Sequence, residues 1–182
     1  MKTQDKRIAL KQETVDRAFE LAKKYSLEST NCAQSVTAAV FETLGVKNDD
    51  IVRAATGFAS GVGETGYGDC GALSGGTVAI SYLFGRGKQD FRKREKMIKS
   101  LSLSKKLHNS FVEQYGDSLK FVDMAEAHAA ARSGLQDKCS TLTGEVARLA
   151  TRIILEEREG ETLKEKEPKP YLLSGARWLT WN

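Results

Sequence analysis

Three cysteines are the residues of this chain best suited to chemistry, and each is expected near the start of a helix. Cys32 follows the capping residue Asn31, Cys70 ends a glycine-rich stretch, and Cys139 comes directly after Asp137-Lys138. The unpaired N–H groups and the positive dipole end of a helix N-terminus favour a thiolate, a phosphate or an anionic cluster. Cysteines in matching positions at helix starts indicate a shared site more strongly than one cysteine would.

The glycine-rich stretch from Gly57 to Gly76 holds eight of the sixteen glycines in the chain. Glycine accepts positive φ angles and close approach of other atoms, so the stretch predicts a loop wrapped tightly around a cofactor or another helix. Gly68 and Gly71, on either side of Asp69-Cys70, are candidate cofactor-binding positions. Residues 61–66 match the dinucleotide pattern GxGxxG, but helices are predicted on both sides, and the βαβ unit that this fingerprint requires is missing.

Three interpretations of the cysteines stay open at this point. They could bind a metal or an iron–sulfur cluster, although no CxxC occurs and the ligands would have to converge from three distant helix starts. They could be small buried apolar residues, which is common for free cysteine. Two of them could also form a reversible disulfide. No CxxCH occurs, which excludes covalently attached c-type haem.

The composition is that of a single domain with one core. The chain has 182 residues, of which 40% are apolar. No signal-peptide pattern opens it, and no apolar segment reaches the roughly 18–20 residues of a bilayer span, so no membrane association is expected. We expect a cytoplasmic protein, where a reducing environment disfavours structural disulfides.

The formal charge of +4 comes from one segment. Residues 86–106 contain nine basic residues against Asp90 and Glu95, whereas the rest of the chain is slightly acidic. Only Phe91 adds an aromatic ring to this segment, so nucleic-acid binding is not expected. The segment is interpreted either as a solvated face or as a docking surface for an acidic electron-transfer partner.

Apolar residues at helical spacing predict an all-α fold, a compact helical bundle in which a glycine-rich loop enters a buried helix. Residues 1–13 are expected to be a flexible tail, 14–158 the helical domain, and 159–182 a charged linker followed by an aromatic tail with both tryptophans. This tail must dock on its own domain or on a neighbour's. The predicted helices cover residues 14–25, 32–44, 51–56, 72–84, 90–115, 118–133 and 139–157.

Four segments resemble the redox-active protein family named for its C, GCAxxG, C, C cysteine pattern, whose domain also occurs in split-Soret cytochromes c. They read NCAQSVTAAVFETLG, ATGFASGVGETGYGDCGALSGGTVAISYLFGR, FVEQYG and DKCSTLTGEVARLATRIILEE. The resemblance covers about residues 14–158. It implies an all-helical domain whose dispersed cysteines gather into one redox site, and in split-Soret relatives an iron–sulfur cluster within a dimer.

On this resemblance Cys32, Cys70 and Cys139 match the first, second and last cysteines of the family. The third is missing, because the place after FVEQYG reads DSLKFVD, with Lys120 among the residues where a thiol is expected. A four-thiolate cluster within one chain is therefore not available. Three alternatives follow: an open iron position, loss of the cluster, or a fourth ligand from elsewhere. That ligand could be Asp69, His108, His128 or a group of a partner chain.

The leading hypothesis is a cytoplasmic redox or electron-transfer protein, a homodimer whose aromatic tail helps association, with a site made from Cys32, Cys70 and Cys139. His128 is a further candidate metal ligand. The alternative is a non-catalytic ligand-binding or structural helical module in which the thiols are inert. No set of acid, base and nucleophile is evident, so the sequence does not predict enzymatic turnover.

Overall fold

The computed structural model describes residues 3–116 and 135–164, and every regular element in these two ranges is helical. The all-α prediction is thus confirmed. The helix predicted over 118–133, which includes His128, and the tail 165–182 lie outside the described residues. Six α-helices are described: α1 (Thr3–Ser29), α2 (Cys32–Thr43), α3 (Asp49–Ala54), α4 (Gly71–Phe84), α5 (Glu95–Tyr115) and α6 (Leu135–Lys164), with 3-10 turns at Ala55–Phe58 and Lys88–Asp90.

The most extensive helix–helix contact in the described residues joins α1 and α6, which run antiparallel. Three ion pairs fix their register: Lys23 with Asp137 at 3.5 Å, Asp16 with Arg148 at 3.3 Å, and Lys11 with Glu159 at 3.0 Å. Between these pairs each helix buries an apolar stripe. It consists of Val15, Ala18 and Ala22 on α1 and Val146, Ala150 and Ile153 on α6.

Helix α1 begins earlier than the sequence predicted. A helix was expected from residue 14, whereas α1 starts at Thr3, so residues 3–12 are helical and not an irregular tail. Helix α6 also extends further than expected, to Lys164 instead of giving way to a linker at residue 159, and its Glu159 pairs with Lys11 of α1.

Helix α4 lies at the centre of the bundle, as predicted from its lack of charge, and packs against α2, α5 and α6. Helix α4 follows Cys70 and buries its small and apolar residues on both sides, with Ala72, Ala79 and Ile80 all in the core. Gly45 follows α2 with φ +69°, which is the predicted glycine stop. The core of the domain therefore forms around a helix whose surface is largely apolar.

Helix α5 starts five residues later than predicted because Asp90 organises a separate turn. Its carboxylate accepts hydrogen bonds from Lys93 at 2.9 Å and Lys96 at 2.8 Å, which closes the chain around the 3-10 turn before the helix begins. Leu107 and Phe111, predicted to face inward, are fully buried.

In residues 3–116 and 135–164, no helix combines the length and the apolar character that crossing a lipid bilayer requires.

Candidate functional site

Cys32 is the first residue of α2, where Asn31 caps the helix as predicted. The Asn31 side-chain oxygen accepts a hydrogen bond from the Gln34 N–H at 3.1 Å, and its Nδ2 donates to the Thr56 carbonyl at 3.1 Å. The second bond ties the helix start to the 3-10 turn before the glycine loop. Cys32 itself is half-buried and packs against the hydrophobic core.

Cys70 occupies the capping position immediately before α4 and is only 4% exposed. Its neighbour Gly71 explains how it comes close to α2. A Cβ added at Gly71 would lie 2.9 Å from the Phe58 carbonyl oxygen and 3.5 Å from the backbone nitrogen of Ala33. Any larger residue at 71 would push the start of α4 away from the 3-10 turn and from α2.

The contact between α2 and α4 continues one turn further along both helices. A Cβ added at Gly75 would lie 2.9 Å from the Ala33 Cα, and the buried Thr37 hydroxyl donates to the Gly75 carbonyl at 3.1 Å. Two close contacts on successive turns keep the helix starts together. Cys32 is adjacent to Ala33 and Cys70 is adjacent to Gly71, so both cysteines flank these contacts.

Cys139 lies near the start of a helix, as expected, although the helix begins four residues before it. Helix α6 begins at Leu135, so Cys139 is in the second turn, and its carbonyl accepts a hydrogen bond from the Thr143 hydroxyl at 2.7 Å. Asp137, in the first turn of α6, forms an ion pair with Lys23 of α1. Cys139 is half-buried.

The three thiols are close enough to influence one another electrostatically. Burial raises the pKa of Cys70 to about 12, and the nearby thiols of Cys32 and Cys139 add to the rise. Burial also raises the pKa of Cys139, again with a contribution from Cys32. We call these three cysteines, on α2, just before α4 and on α6, the thiol cluster.

The charge of Cys70 depends on two opposing effects. The sequence indicated a helix N-terminus here, which favours a thiolate, a phosphate or an anionic cluster. The backbone N–H groups of Ala72 and Leu73 do lower its pKa, but desolvation outweighs them and leaves the thiol protonated at neutral pH.

Tyr115, near the end of α5, lies near the same cluster. Burial raises its pKa, Glu145 adds to the rise and Arg148 opposes it, and Cys70 adds a further contribution. Its ring contacts Phe111 at a centroid distance of 5.0 Å. No pattern in the sequence indicates this neighbourhood, because it depends on how α5 packs beside α6.

The other candidate ligands are not brought into the cluster. His108 is exposed on α5, where its Nδ1 lies 3.4 Å from the side chain of Asn109, and Asp69 is exposed on the loop. His128 and the residues after FVEQYG are outside the described ranges. Within 3–116 and 135–164, no three histidine, cysteine or acidic side chains are grouped closely enough to hold a metal ion. The described residues therefore do not fit an iron–sulfur cluster.

The glycine loop packs on itself and on α2. Gly61 and Gly68 face each other, because a Cβ on Gly61 would lie 2.9 Å from the Gly68 nitrogen. The Gly68 N–H donates to the Gly61 carbonyl at 3.2 Å. Gly68 and Gly71, proposed from the sequence as cofactor-binding positions, thus make their close approaches to the protein's own backbone.

Within this loop the five consecutive residues 60–64 all have positive φ angles, which gives a turn of left-handed helix. Three of them are not glycine: Ser60 at 45°, Val62 at 64° and Glu64 at 61°. This conformation is costly for L-residues and above all for a β-branched one such as Val62. The turn precedes Cys70 by six residues.

A groove of about 620 Å³ lies away from the thiol cluster, between the end of α1, α2 and α3, and no sequence pattern indicated it. Ala38, Phe41, Val46 and Val52 form its apolar part, and its polar rim includes the hydrogen-bonded pair of Tyr25 and Glu42. No cysteine lines it.

Comparison with known proteins gives one match. Residues 30–153 match the model of the family described as "Putative redox-active protein (C_GCAxxG_C_C)". This range contains all three cysteines and most of the described helices. No curated protein and no solved structure matches the chain.

Proposed function

Because the chain belongs to the C_GCAxxG_C_C family of redox-active proteins, we propose that it is a thiol redox protein whose site is the cluster of Cys32, Cys70 and Cys139. The observation that carries the proposal is the contact of Gly71 and Gly75 with Ala33, which holds the starts of α2 and α4 together. The two cysteines next to this contact, Cys32 and Cys70, form the redox pair of the proposal.

The chemistry is thiol–disulfide exchange. The two thiols give up two protons and two electrons and form one S–S bond, while a partner disulfide takes up the same protons and electrons and becomes two thiols. Cys32 is the more accessible of the pair and forms the mixed disulfide first. The buried Cys70, which is protonated at neutral pH, then gives up its proton and displaces the partner thiol.

The test is oxidation of the purified protein by glutathione disulfide, followed by peptide mapping of the disulfide. We expect a Cys32–Cys70 disulfide that a dithiol reductant reverses. The Cys139→Ser variant should still form it and the Cys32→Ser variant should not. A protein that gains only mixed disulfides with glutathione, or none, would contradict the proposal.

Binding of an iron–sulfur cluster by these cysteines, which the resemblance implies, is a more specific hypothesis than thiol redox chemistry. The described residues do not form a metal-binding group, so we derive no step through a cluster. The cluster hypothesis is tested separately: protein reconstituted anaerobically with iron and sulfide should retain both and absorb visible light. Protein that remains colourless and iron-free would eliminate it while leaving the disulfide chemistry intact.

A ligand-binding module with inert cysteines is the second candidate, and the groove near Phe41 and Val52 favours it. Under this alternative all three thiols react with a maleimide reagent only in denaturant. Under the redox proposal Cys32 reacts in the folded protein.

Three further sequence-based predictions accompany the redox function: a homodimer, an acidic electron-transfer partner and a cytoplasmic location. The acidic partner is supported by the basic turn around Asp90, where Lys88, Arg92 and Arg94 are exposed. Analytical ultracentrifugation tests the dimer, and salt-dependent binding tests the acidic partner.

A further inference from the structure

Helix α5 carries an apolar outer face that the described part of the chain leaves uncovered. Ile98 and Leu101, three residues apart and thus on one side of the helix, are 51% and 53% exposed. Leu103 and Leu107 on the opposite side are buried in the core. Phe91, 64% exposed, lies just before the helix. We call Phe91, Ile98 and Leu101 the α5 outer face.

The segment that follows α6 has the composition to cover such a face. Residues 165–170 read EKEPKP, and residues 171–182 read YLLSGARWLTWN, which include both tryptophans of the chain. Burying a large apolar side chain contributes roughly 1.5–3 kcal/mol. A segment with two tryptophans, a tyrosine and three leucines therefore gains considerably from docking.

The end of α6 lies beside the beginning of α5. Lys106 pairs with Glu156 at 2.7 Å and Lys99 pairs with Glu157 at 2.8 Å, so the two helices run antiparallel at this end. Lys164 is seven residues beyond Glu157, about 10 Å along the helix axis at 1.5 Å per residue. The end of α6 therefore lies toward the end of α5 that follows Phe91.

The linker is long enough for the remaining distance. Six residues span at most about 20 Å when extended, and a helix with its side chains is about 10–12 Å across. Residues 165–170 can thus lead the chain around α5 to its outer side. The groove near Tyr25 is less favourable, because it lies about 20 Å along α1 from Lys11, the partner of Glu159.

We propose that residues 171–182 of the same chain dock on the α5 outer face, with their tryptophan side chains against Ile98 and Leu101. The sequence alone left open whether this segment docks on its own domain or on another copy. The reach of residues 165–170 from the end of α6 favours its own domain. This surface is independent of the thiol cluster, so the inference does not rest on the redox proposal.

Tryptophan fluorescence of the full-length protein tests the proposal directly, since Trp178 and Trp181 are the only tryptophans. We expect emission at a shorter wavelength than in denaturant. Ile98→Asn and Leu101→Asn should each shift it to longer wavelength and increase quenching by acrylamide. The matched control is Leu27→Asn, an exposed leucine near the end of α1, which should leave the emission unchanged. Circular dichroism verifies that each variant is folded.

Three results would overturn the proposal. One is emission from the unsubstituted protein at the wavelength of the denatured protein. Another is a shift in the control variant Leu27→Asn as large as that in Leu101→Asn. The third is a short-wavelength emission that disappears on dilution, because docking within one chain does not depend on concentration.

Discussion

The Cα of Ala33 in α2 lies directly against the Cα of Gly75 in α4, with room for a hydrogen atom but not for a methyl group. The two helices therefore touch backbone to backbone at the point where their cysteines come together. Because Ala33 and Gly75 are small, the two helices can approach each other closely where they cross.

Substitution of Gly75 by alanine should separate the helices. The added Cβ would lie 2.9 Å from the Ala33 Cα, so the backbone must move, and we expect a loss of about 1–3 kcal/mol in the free energy of unfolding. The yield of the Cys32–Cys70 disulfide should fall as well. Urea denaturation and peptide mapping measure the two effects.

Gly160→Ala is the matched control, because no atom lies within 4 Å of a Cβ added there in α6. Alanine should stabilise the helix by about 0.5–1 kcal/mol. Equal effects of the two substitutions would show that the crossing is not tightly packed.

The raised pKa of Cys70 predicts a loss of stability at alkaline pH. In the unfolded chain the thiol has its ordinary pKa of 9.0, whereas in the folded protein burial raises it to about 12. The unfolded state therefore loses its proton first, and the stability due to Cys70 is complete below pH 9 and decreases between pH 9 and pH 12. Relative to Cys70→Ala, the wild-type protein should lose about 1 kcal/mol between pH 8 and pH 10. Urea denaturation under reducing conditions at both pH values measures this difference. Parallel pH profiles of the two proteins would contradict it.

The left-handed turn at residues 60–64 predicts opposite effects at adjacent positions. Val62→Gly should stabilise the protein by up to about 1 kcal/mol, because glycine avoids the steric cost of a positive φ. Gly61→Ala should destabilise it, because residue 61 has φ +79° and a Cβ there would lie 2.9 Å from the Gly68 nitrogen. Thermal unfolding measures both changes. If both substitutions shift the melting temperature in the same direction, the turn is not the strained element described.

Asp90 predicts a change in acid stability. Hydrogen bonds from Lys96 and then Lys93 lower its pKa, so its contribution to stability is present above its ordinary pKa of 3.8 and is lost as the pH falls through the lower folded value. Asp90→Asn should lower the melting temperature at pH 7, and the difference from wild type should shrink below about pH 4. Asp50→Asn, at an exposed aspartate paired with Arg53, serves as control and should have little effect at either pH.

Local patterns were sufficient for the helices whose signals lie in neighbouring residues. Asn31 and Gly45 mark the ends of α2, and the uncharged stretch 72–84 coincides with α4 apart from Gly71. The early start of α1 has no such local signal, because residues 3–12 are mostly polar, and the pair of Lys11 with Glu159 joins residues 148 positions apart.

The cysteine site was only partly accessible to sequence reasoning. The prediction that Cys32, Cys70 and Cys139 form one site remains part of the redox proposal. The helices that carry these cysteines do converge. The protonated state of Cys70 could not be predicted, since it depends on burial by α2, α5 and α6 and not on the helix start alone. The groove near Phe41 was missed because its walls come from three helices, none of which carries a distinctive motif.

The antiparallel pairing of α1 with α6 has a consequence for the order of folding. The stripe of Val15, Ala18 and Ala22 finds its main partner more than a hundred residues later in the chain. During synthesis on the ribosome, this apolar stripe of α1 stays exposed to water until α6 has emerged. Such distant contacts slow folding, so nascent chains that stop before residue 135 are the forms of this protein most in need of a chaperone.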